Sequence, residues 1–113
     1  EIAPDRYPLL AEISDRDFEM VCSIHGLADD AVIVGGGIDR EQKETVAATL
    51  DDALSVSVSV ADSGAYAGTN PENFVNWLAR DGGGLQLELG TTARGAQAGT
   101  VRHVLGSFLR DGL

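Results

Sequence analysis

Apolar and polar residues alternate along several short segments, most clearly in "SVSVSVA" (55–61) and "LQLEL" (85–89). A period of two predicts β-strands whose two faces have different surroundings. In the first segment the valines would face the protein and the serines the solvent, which is typical of a peripheral strand. In the second segment, Glu88 and a glutamine lie opposite three leucines. The runs 20–25 and 31–36 predict two further strands.

Other segments have apolar residues at helical spacing. Asp39 is followed by Gln42 three residues later, which is the pattern of a capping box, and it predicts the start of a long helix. Asn70 and Pro71 are typical of a helix N-cap and first helical residue. The apolar face predicted for the long helix consists of Val46, Leu50, Ala53 and Leu54. The apolar face predicted for the last helix of the chain consists of Val101, Val104, Leu105 and Phe108.

The order of these elements, with a short helix expected over 8–14, is (α)ββαβαβα. Strands that alternate with amphipathic helices predict an α/β fold with helices on both faces of the sheet. In such sheets ligands bind outside the carboxyl ends of strands. The length of 113 residues is that of one domain, so we expect residues 1–113 to form a single domain.

The composition excludes some partners. The chain carries 18 acidic and 8 basic residues, only one of them a lysine, and its net charge is −10. Nucleic acid and anionic membranes would be repelled by this charge, because both are bound through basic surfaces. An acidic, lysine-poor surface suits high salt, so a halophilic source is an expectation. No apolar run reaches the length of a membrane span, and the single cysteine, Cys22, excludes a disulfide framework.

Two polar residues stand near the ends of different predicted strands, His25 and Glu88. A histidine in this position is often a structural residue. A glutamate in a covered strand is harder to explain, because burial of an unpaired carboxylate costs several kcal/mol or raises its pKa. Glu88 therefore predicts that its end of the strand opens into a polar pocket, which His25 would share.

Four motifs then point to a family. The segments are "SIHG" (23–26), "VGGGID" (34–39), "GTNPENFVN" (68–76) and "GGLQLELGTTAR" (83–94). In their order and spacing they resemble the poly-γ-glutamate hydrolases of phages and related microbial proteins, which are similar in fold to zinc carboxypeptidases. The resemblance implies a three-layer αβα sandwich with a mixed sheet, of which this chain would form the C-terminal half.

The resemblance also implies roles for individual residues. His25 would be a zinc ligand, and Glu88 would accept a proton from the metal-bound water that attacks an amide. Arg94 would hold a substrate carboxylate by paired hydrogen bonds, or would have a structural role. Asn73 and Asn76 match polar positions at the start of a helix, where they would orient the substrate, a polyanionic peptide, or cap the helix.

The chain departs from the family in several places. The family has a His-Gly-Gly segment followed shortly by a glutamate, which supplies two more metal ligands, and this chain has none; its other histidine, His103, is expected on the surface. Because a catalytic zinc needs three protein ligands, the others would come from an N-terminal segment or a partner chain. The absence of an initiator methionine at Glu1 fits that expectation. Trp77 replaces an arginine, and Gly90 a common serine.

These departures leave a second function open. The chain would then be a non-catalytic structural or binding module, such as a virion or surface protein, that keeps the hydrolase fold. Trp77 would be an anchor for a partner if it were exposed, although its neighbours favour partial burial.

Overall fold

A computed structural model describes residues 7–111 of the protein. Five helices and four strands form the fold, together with a 3₁₀ turn at Arg80–Gly82. The helices are α1 (Pro8–Ala11), α2 (Arg40–Ala53), α3 (Phe74–Trp77), α4 (Thr91–Arg94) and α5 (Ala98–Asp111), and the strands are β1 (Cys22–Gly26), β2 (Val32–Gly35), β3 (Val58–Val60) and β4 (Leu85–Leu89). None of the helices in this range is long and apolar enough to span a membrane.

The four strands form one mixed sheet in the order β1-β4-β2-β3. The pairs β1–β4 and β2–β3 are parallel, whereas β2 and β4 are antiparallel. The strand β4 therefore lies inside the sheet, and β1 and β3 form its two edges. The α/β class and the mixed sheet expected from the sequence are confirmed.

The helix-covered face of the sheet carries the main core. Leu85, Leu87 and Leu89 of β4 are buried there with the valines of β2, beneath α2 and α5. The predicted apolar stripes of both helices enter this core, except for Ala53, which is exposed. The predicted helix start is also confirmed, since Asp39 is the N-cap and its side chain accepts a hydrogen bond of 2.8 Å from the Gln42 backbone N–H.

The opposite face of the sheet is polar along β4, and a loop and α3 cover part of it. Gly68 lies directly on the Gln86 side chain, where a Cβ would come within 2.9 Å of three Gln86 atoms. Gly68 also has φ +62, a conformation that favours glycine. The Gln86 amide oxygen accepts a hydrogen bond of 3.1 Å from Asn73. The loop is thereby fixed to the middle of β4.

The predicted start of the third helix was wrong. The sequence pattern places it at Asn70–Pro71, but α3 begins at Phe74 and is one turn long. The Asn70 side chain instead accepts a hydrogen bond of 2.9 Å from the Glu72 backbone N–H, which closes a local turn. The residues after Asn70 therefore form a loop along the sheet, and the helix begins only at Phe74.

Candidate active site

Glu88 lies on β4 with His25 as its direct neighbour on β1. The two residues are paired in the parallel register, so their side chains emerge on the same face of the sheet. On its other side Glu88 pairs with Ile33 of β2. The sequence predicted that His25 and Glu88 converge at one end of the sheet, and the structure places them side by side. This arrangement follows from strand order, because β4 is inserted between β1 and β2.

The two members of the pair differ in their access to solvent. Glu88 is 6% exposed, whereas His25 is exposed at the edge of the sheet. Burial raises the pKa of the Glu88 carboxyl above its ordinary value, and the nearby His25 partly opposes this effect. A buried carboxyl with a raised pKa is suited to accept and return a proton near neutral pH. The exposed imidazole is accessible to a ligand.

Arg94 lies at the same end of the sheet but approaches from the helix-covered face. Its guanidinium lies 3.8 Å from the point where a Cβ of Gly26 would stand, and a side chain there would point away from the face of Glu88. One guanidinium nitrogen is 3.5 Å from the carbonyl oxygen of Leu27. Arg94 forms no salt bridge with any residue in 7–111. The guanidinium is therefore available to an anion that reaches the rim.

A hydrogen-bonded pair missed by the sequence analysis fixes the helix that carries Arg94. Asp30, before β2, accepts hydrogen bonds of 2.8 Å from both the backbone N–H and the hydroxyl of Thr92. These bonds lower the pKa of the Asp30 carboxyl. The signal in the sequence is modest: an aspartate in the turn before one strand and a threonine just after another.

A glycine at position 90, where the resemblance implies a serine, has a steric reason. The chain passes from β4 to α4 against the turn that precedes β2, and a Cβ on Gly90 would lie 2.2 Å from the Asp29 carbonyl oxygen. A serine would therefore require this turn to move. The departure at Gly90 is thus explained by close backbone contact.

Asn73 and Asn76 lie on the face of Glu88 but farther along the strand. Asn73 bonds to Gln86, two residues before Glu88, and Asn76 lies beside Gly84, which is four residues before it. At about 3.3 Å per residue, Gly84 is about 13 Å from Glu88 along the strand. The structure therefore brings His25 and Glu88 together, places Arg94 at their rim, and separates Asn76 from them.

Asn76 uses its whole side chain within the protein. Its oxygen accepts hydrogen bonds from the backbone N–H groups of Gly37 (2.8 Å) and Gly84 (3.1 Å). Its nitrogen donates to the carbonyl oxygens of Gly68 (2.8 Å) and Asn70 (2.9 Å). All donors and acceptors of an amide side chain are then occupied. The geometry supports a structural role for Asn76, joining three loops, over the substrate-binding role that the resemblance implies.

Two other residues considered in the sequence analysis, His103 and Trp77, lie outside the candidate site. His103 is exposed on α5, as expected, and Trp77 is half-buried, which agrees with partial core packing.

A cleft of about 900 Å³ exists at the opposite rim of the sheet, between Met20, Ile38 and Phe108. Because this cleft lies at the amino ends of β1 and β4, it is separate from the pair His25–Glu88.

Cys22 has the properties of an unreactive core thiol. It packs against the core, and burial raises its pKa to about 11, so the thiolate is scarce at neutral pH. We expect the native protein to react with Ellman's reagent at least about 100-fold more slowly than the urea-unfolded protein, measured at pH 7.5 by absorbance. Equal rates in both states would show that the thiol is accessible.

Comparison with known proteins decides the relationship. The family model for poly-gamma-glutamate hydrolase matches residues 7–100, which include both members of the pair. The chain belongs to the poly-gamma-glutamate hydrolase family. No curated protein sequence matches it.

Two solved structures are similar in fold to this chain. A structure titled "YNDL-apo (Zinc-free)" superposes with a TM-score of 0.73 at 21% identity and covers 89% of this chain and 59% of that one. A bacteriophage poly-gamma-glutamate hydrolase gives a TM-score of 0.59 at 27% identity and covers 76% of this chain and 40% of that one. This member of the poly-gamma-glutamate hydrolase family therefore corresponds to about half of each solved structure.

Within residues 7–111, few side chains are suited to hold a zinc ion. Among the residues that the structure describes, no three His, Cys, Asp or Glu side chains are grouped closely enough to hold a metal ion. The pair offers one accessible imidazole beside one carboxylate. One imidazole is a suitable ligand for zinc but is two short of the usual three.

Proposed function

We propose that this chain supplies the proton-transfer carboxylate and one metal ligand of an amidohydrolase that cleaves γ-glutamyl bonds. The observation that carries the proposal is the register pair His25–Glu88, a buried carboxylate beside an accessible imidazole. Membership of the poly-gamma-glutamate hydrolase family supports the proposed reaction class and substrate class.

Glu88 is the residue that moves protons in this proposal. Its carboxylate accepts a proton from the water that attacks the amide carbonyl and returns it to the leaving amine nitrogen. The raised pKa brings the carboxyl closer to the working pH and so favours both transfers. Because β4 is paired on both sides, the carboxylate is carried by a rigid strand, as a catalytic group should be.

His25 is the proposed zinc ligand. A zinc ion held there would polarise the amide carbonyl and would lower the pKa of a bound water molecule to near 7. The remaining ligands would come from a segment outside residues 7–111 or from a partner chain. The lengths of the two solved structures support this part of the proposal, since each contains much more chain than this one matches.

Arg94 is the proposed contact for a substrate carboxylate. It forms no salt bridge within the described residues, and it lies at the rim of the sheet where His25 and Glu88 are found. A polyglutamate is nevertheless repelled by a chain of charge −10, so binding should improve as salt screens this repulsion.

Zinc content tests the role of His25, with the other histidine as a matched control. In the full-length gene product we expect about one zinc per molecule by elemental analysis. His25→Ala should lower zinc affinity and poly-γ-glutamate hydrolysis by about 100-fold, because loss of a ligand costs at least as much as loss of a group that orients one. His103→Ala should change neither, because His103 is exposed on α5. Retention of zinc by the His25 variant would remove it from the site.

A non-catalytic module is the second candidate function, and the shortage of metal ligands within 7–111 favours it. It predicts that the full-length gene product neither holds stoichiometric zinc nor cleaves poly-γ-glutamate. Under this alternative, Glu88→Gln would leave the biological role intact. Cleavage that depends on Glu88 would exclude it.

A further inference from the structure

The side-chain amide of Gln86 lies on the face of Glu88, two residues earlier on β4. Alternate residues of a strand emerge on the same face, about 7 Å apart. The Gln86 oxygen accepts a hydrogen bond of 3.1 Å from the Asn73 side-chain nitrogen, and this bond fixes the orientation of the amide. The NH₂ group of Gln86 is therefore directed away from Asn73. Within 7–111, no group accepts a hydrogen bond from it.

A second polar group beside Gln86 also has no partner. Ser23 of β1 is the register partner of Gln86 and lies on the same face of the sheet. Its hydroxyl is buried and makes no hydrogen bond within the described part of the chain, which is uncommon in folded proteins. The Ser23 oxygen is closed to solvent, whereas the unpaired Gln86 nitrogen is not. Of these two groups, the amide nitrogen is therefore the one that a ligand can reach.

The Gln86 side chain is held firmly in this position. Gly68 packs against the amide, and Gln86 as a whole is only 4% exposed. Farther along the same face, Asn76 uses all of its donors and acceptors inside the protein, whereas Gln86 keeps its donor unused. A rigid donor with unused hydrogens beside the proposed catalytic carboxylate has the properties of a group that orients a substrate.

We infer that Gln86 is a specificity-determining residue, whose amide nitrogen donates a hydrogen bond to the α-carboxylate of the γ-glutamyl residue that is cleaved. This inference rests on the proposed function, which supplies the substrate class. Four bonds separate the scissile carbonyl carbon of such a residue from its α-carboxyl carbon, about 5 Å when extended. Glu88 and Gln86 are about 7 Å apart along β4. One γ-glutamyl residue can therefore reach both side chains.

A neutral donor suits this position better than a cation. An arginine or lysine beside Glu88 would form a salt bridge with it and would occupy the carboxylate that has to accept a proton. The amide of Gln86 binds a substrate carboxylate and leaves Glu88 available. Arg94 contacts the carboxylate of a different residue of the polymer, because its guanidinium lies toward the other face of β1.

Steady-state hydrolysis of poly-γ-glutamate by the full-length gene product tests the inference. Gln86→Met keeps the length of the side chain and removes its donor. We expect KM to rise about 30-fold, because a hydrogen bond to a charged group is lost. The value of kcat should stay within about threefold and zinc content should not change, because the contact is made before and during the reaction alike. Gln42→Met, the same change on α2 at the opposite rim, is the matched control and should leave KM unchanged.

Competitive inhibition by two short peptides distinguishes a lost contact from a disturbed site. One is a γ-linked glutamate tripeptide, and the other is built from 4-aminobutyrate, which gives the same backbone without α-carboxylates. Gln86→Met should weaken inhibition by the first about 30-fold and leave inhibition by the second unchanged.

Several results would overturn the inference. An unchanged KM for Gln86→Met, or equal losses of inhibition for both peptides, would show that the amide does not contact the α-carboxylate. A fall in kcat or in zinc content without a rise in KM would assign Gln86 a structural role. In these cases the wild-type protein still hydrolyses poly-γ-glutamate, so the proposed function stands. A wild-type protein without this activity would overturn the proposed function, and the inference with it.

Discussion

Replacement of Asn76 by alanine is expected to destabilise the fold by about 4 kcal/mol. Asn76 is 1% exposed, and its amide bonds four backbone groups that belong to three separate loops. Alanine leaves these groups without partners in a place that is poorly accessible to water, where each unsatisfied group costs about 1–3 kcal/mol. Urea unfolding followed by circular dichroism measures the loss.

Asn73→Ala is the matched control for this prediction. Asn73 carries the same amide three residues earlier, is only half-buried, and makes one side-chain hydrogen bond of 3.1 Å, to Gln86. Its removal should cost about 1 kcal/mol. A similar small loss for both variants would show that water replaces the amide at Asn76, and the structural role assigned to it would then be incorrect.

The contacts of Asn76 explain why one part of the fold was not predictable from the sequence. The pattern after Asn70 is typical of a helix start, and local propensity alone would extend that helix. The Asn76 side chain instead joins the loop around Gly68 to the turns at Gly37 and Gly84. These contacts connect residues up to 39 positions apart, and a local pattern contains no information about them.

Elements determined by local rules were predicted well. The start of α2 follows from a cap that Asp39 and Gln42 form within one turn, and β4 follows from alternation within five residues. Strand order was not available from the pattern. The insertion of β4 between β1 and β2, and hence the direct pairing of His25 with Glu88, depends on contacts between distant parts of the chain.

The candidate site was also predictable only where local patterns determine it. The polar face of β4 and the strand-end position of His25 indicated that the two residues approach each other. The separation of Asn76 from Glu88 was not evident, because one face of a strand extends over more than 10 Å. Arg94 follows β4 closely in sequence, yet its guanidinium lies toward the other face of β1.

Glu88→Gln is expected to lower the rate of poly-γ-glutamate hydrolysis by about 100-fold or more, because an amide cannot accept the proton of the attacking water. The change is nearly isosteric, so the strand pairing on both sides of the residue should persist. The measurement is the release of new amine ends by the full-length gene product. Glu72→Gln, the same change at an exposed loop position, is the control and should retain full activity.

Glu88→Gln should also stabilise the folded protein near neutral pH. The pKa of Glu88 is raised in the folded state, so the folded protein binds this proton more tightly than the unfolded chain. Stability therefore falls as pH rises from the ordinary value of 4.5 through the folded pKa, and the full cost of burying the charge is present above it. The glutamine variant lacks this cost, and its Tm should exceed that of the wild type at pH 7.

The pH dependence of that difference tests the assignment. Below pH 4.5 the wild-type carboxyl is protonated in both states, so the Tm advantage of Glu88→Gln should shrink toward zero. Glu72→Gln should show no advantage at either pH, because its carboxylate is exposed. A Glu88 variant that is both inactive and more stable at pH 7 would show that the protein keeps a buried carboxylate for its chemistry. A variant that is less stable at pH 7 would show instead that the charge is held by partners and supports the fold.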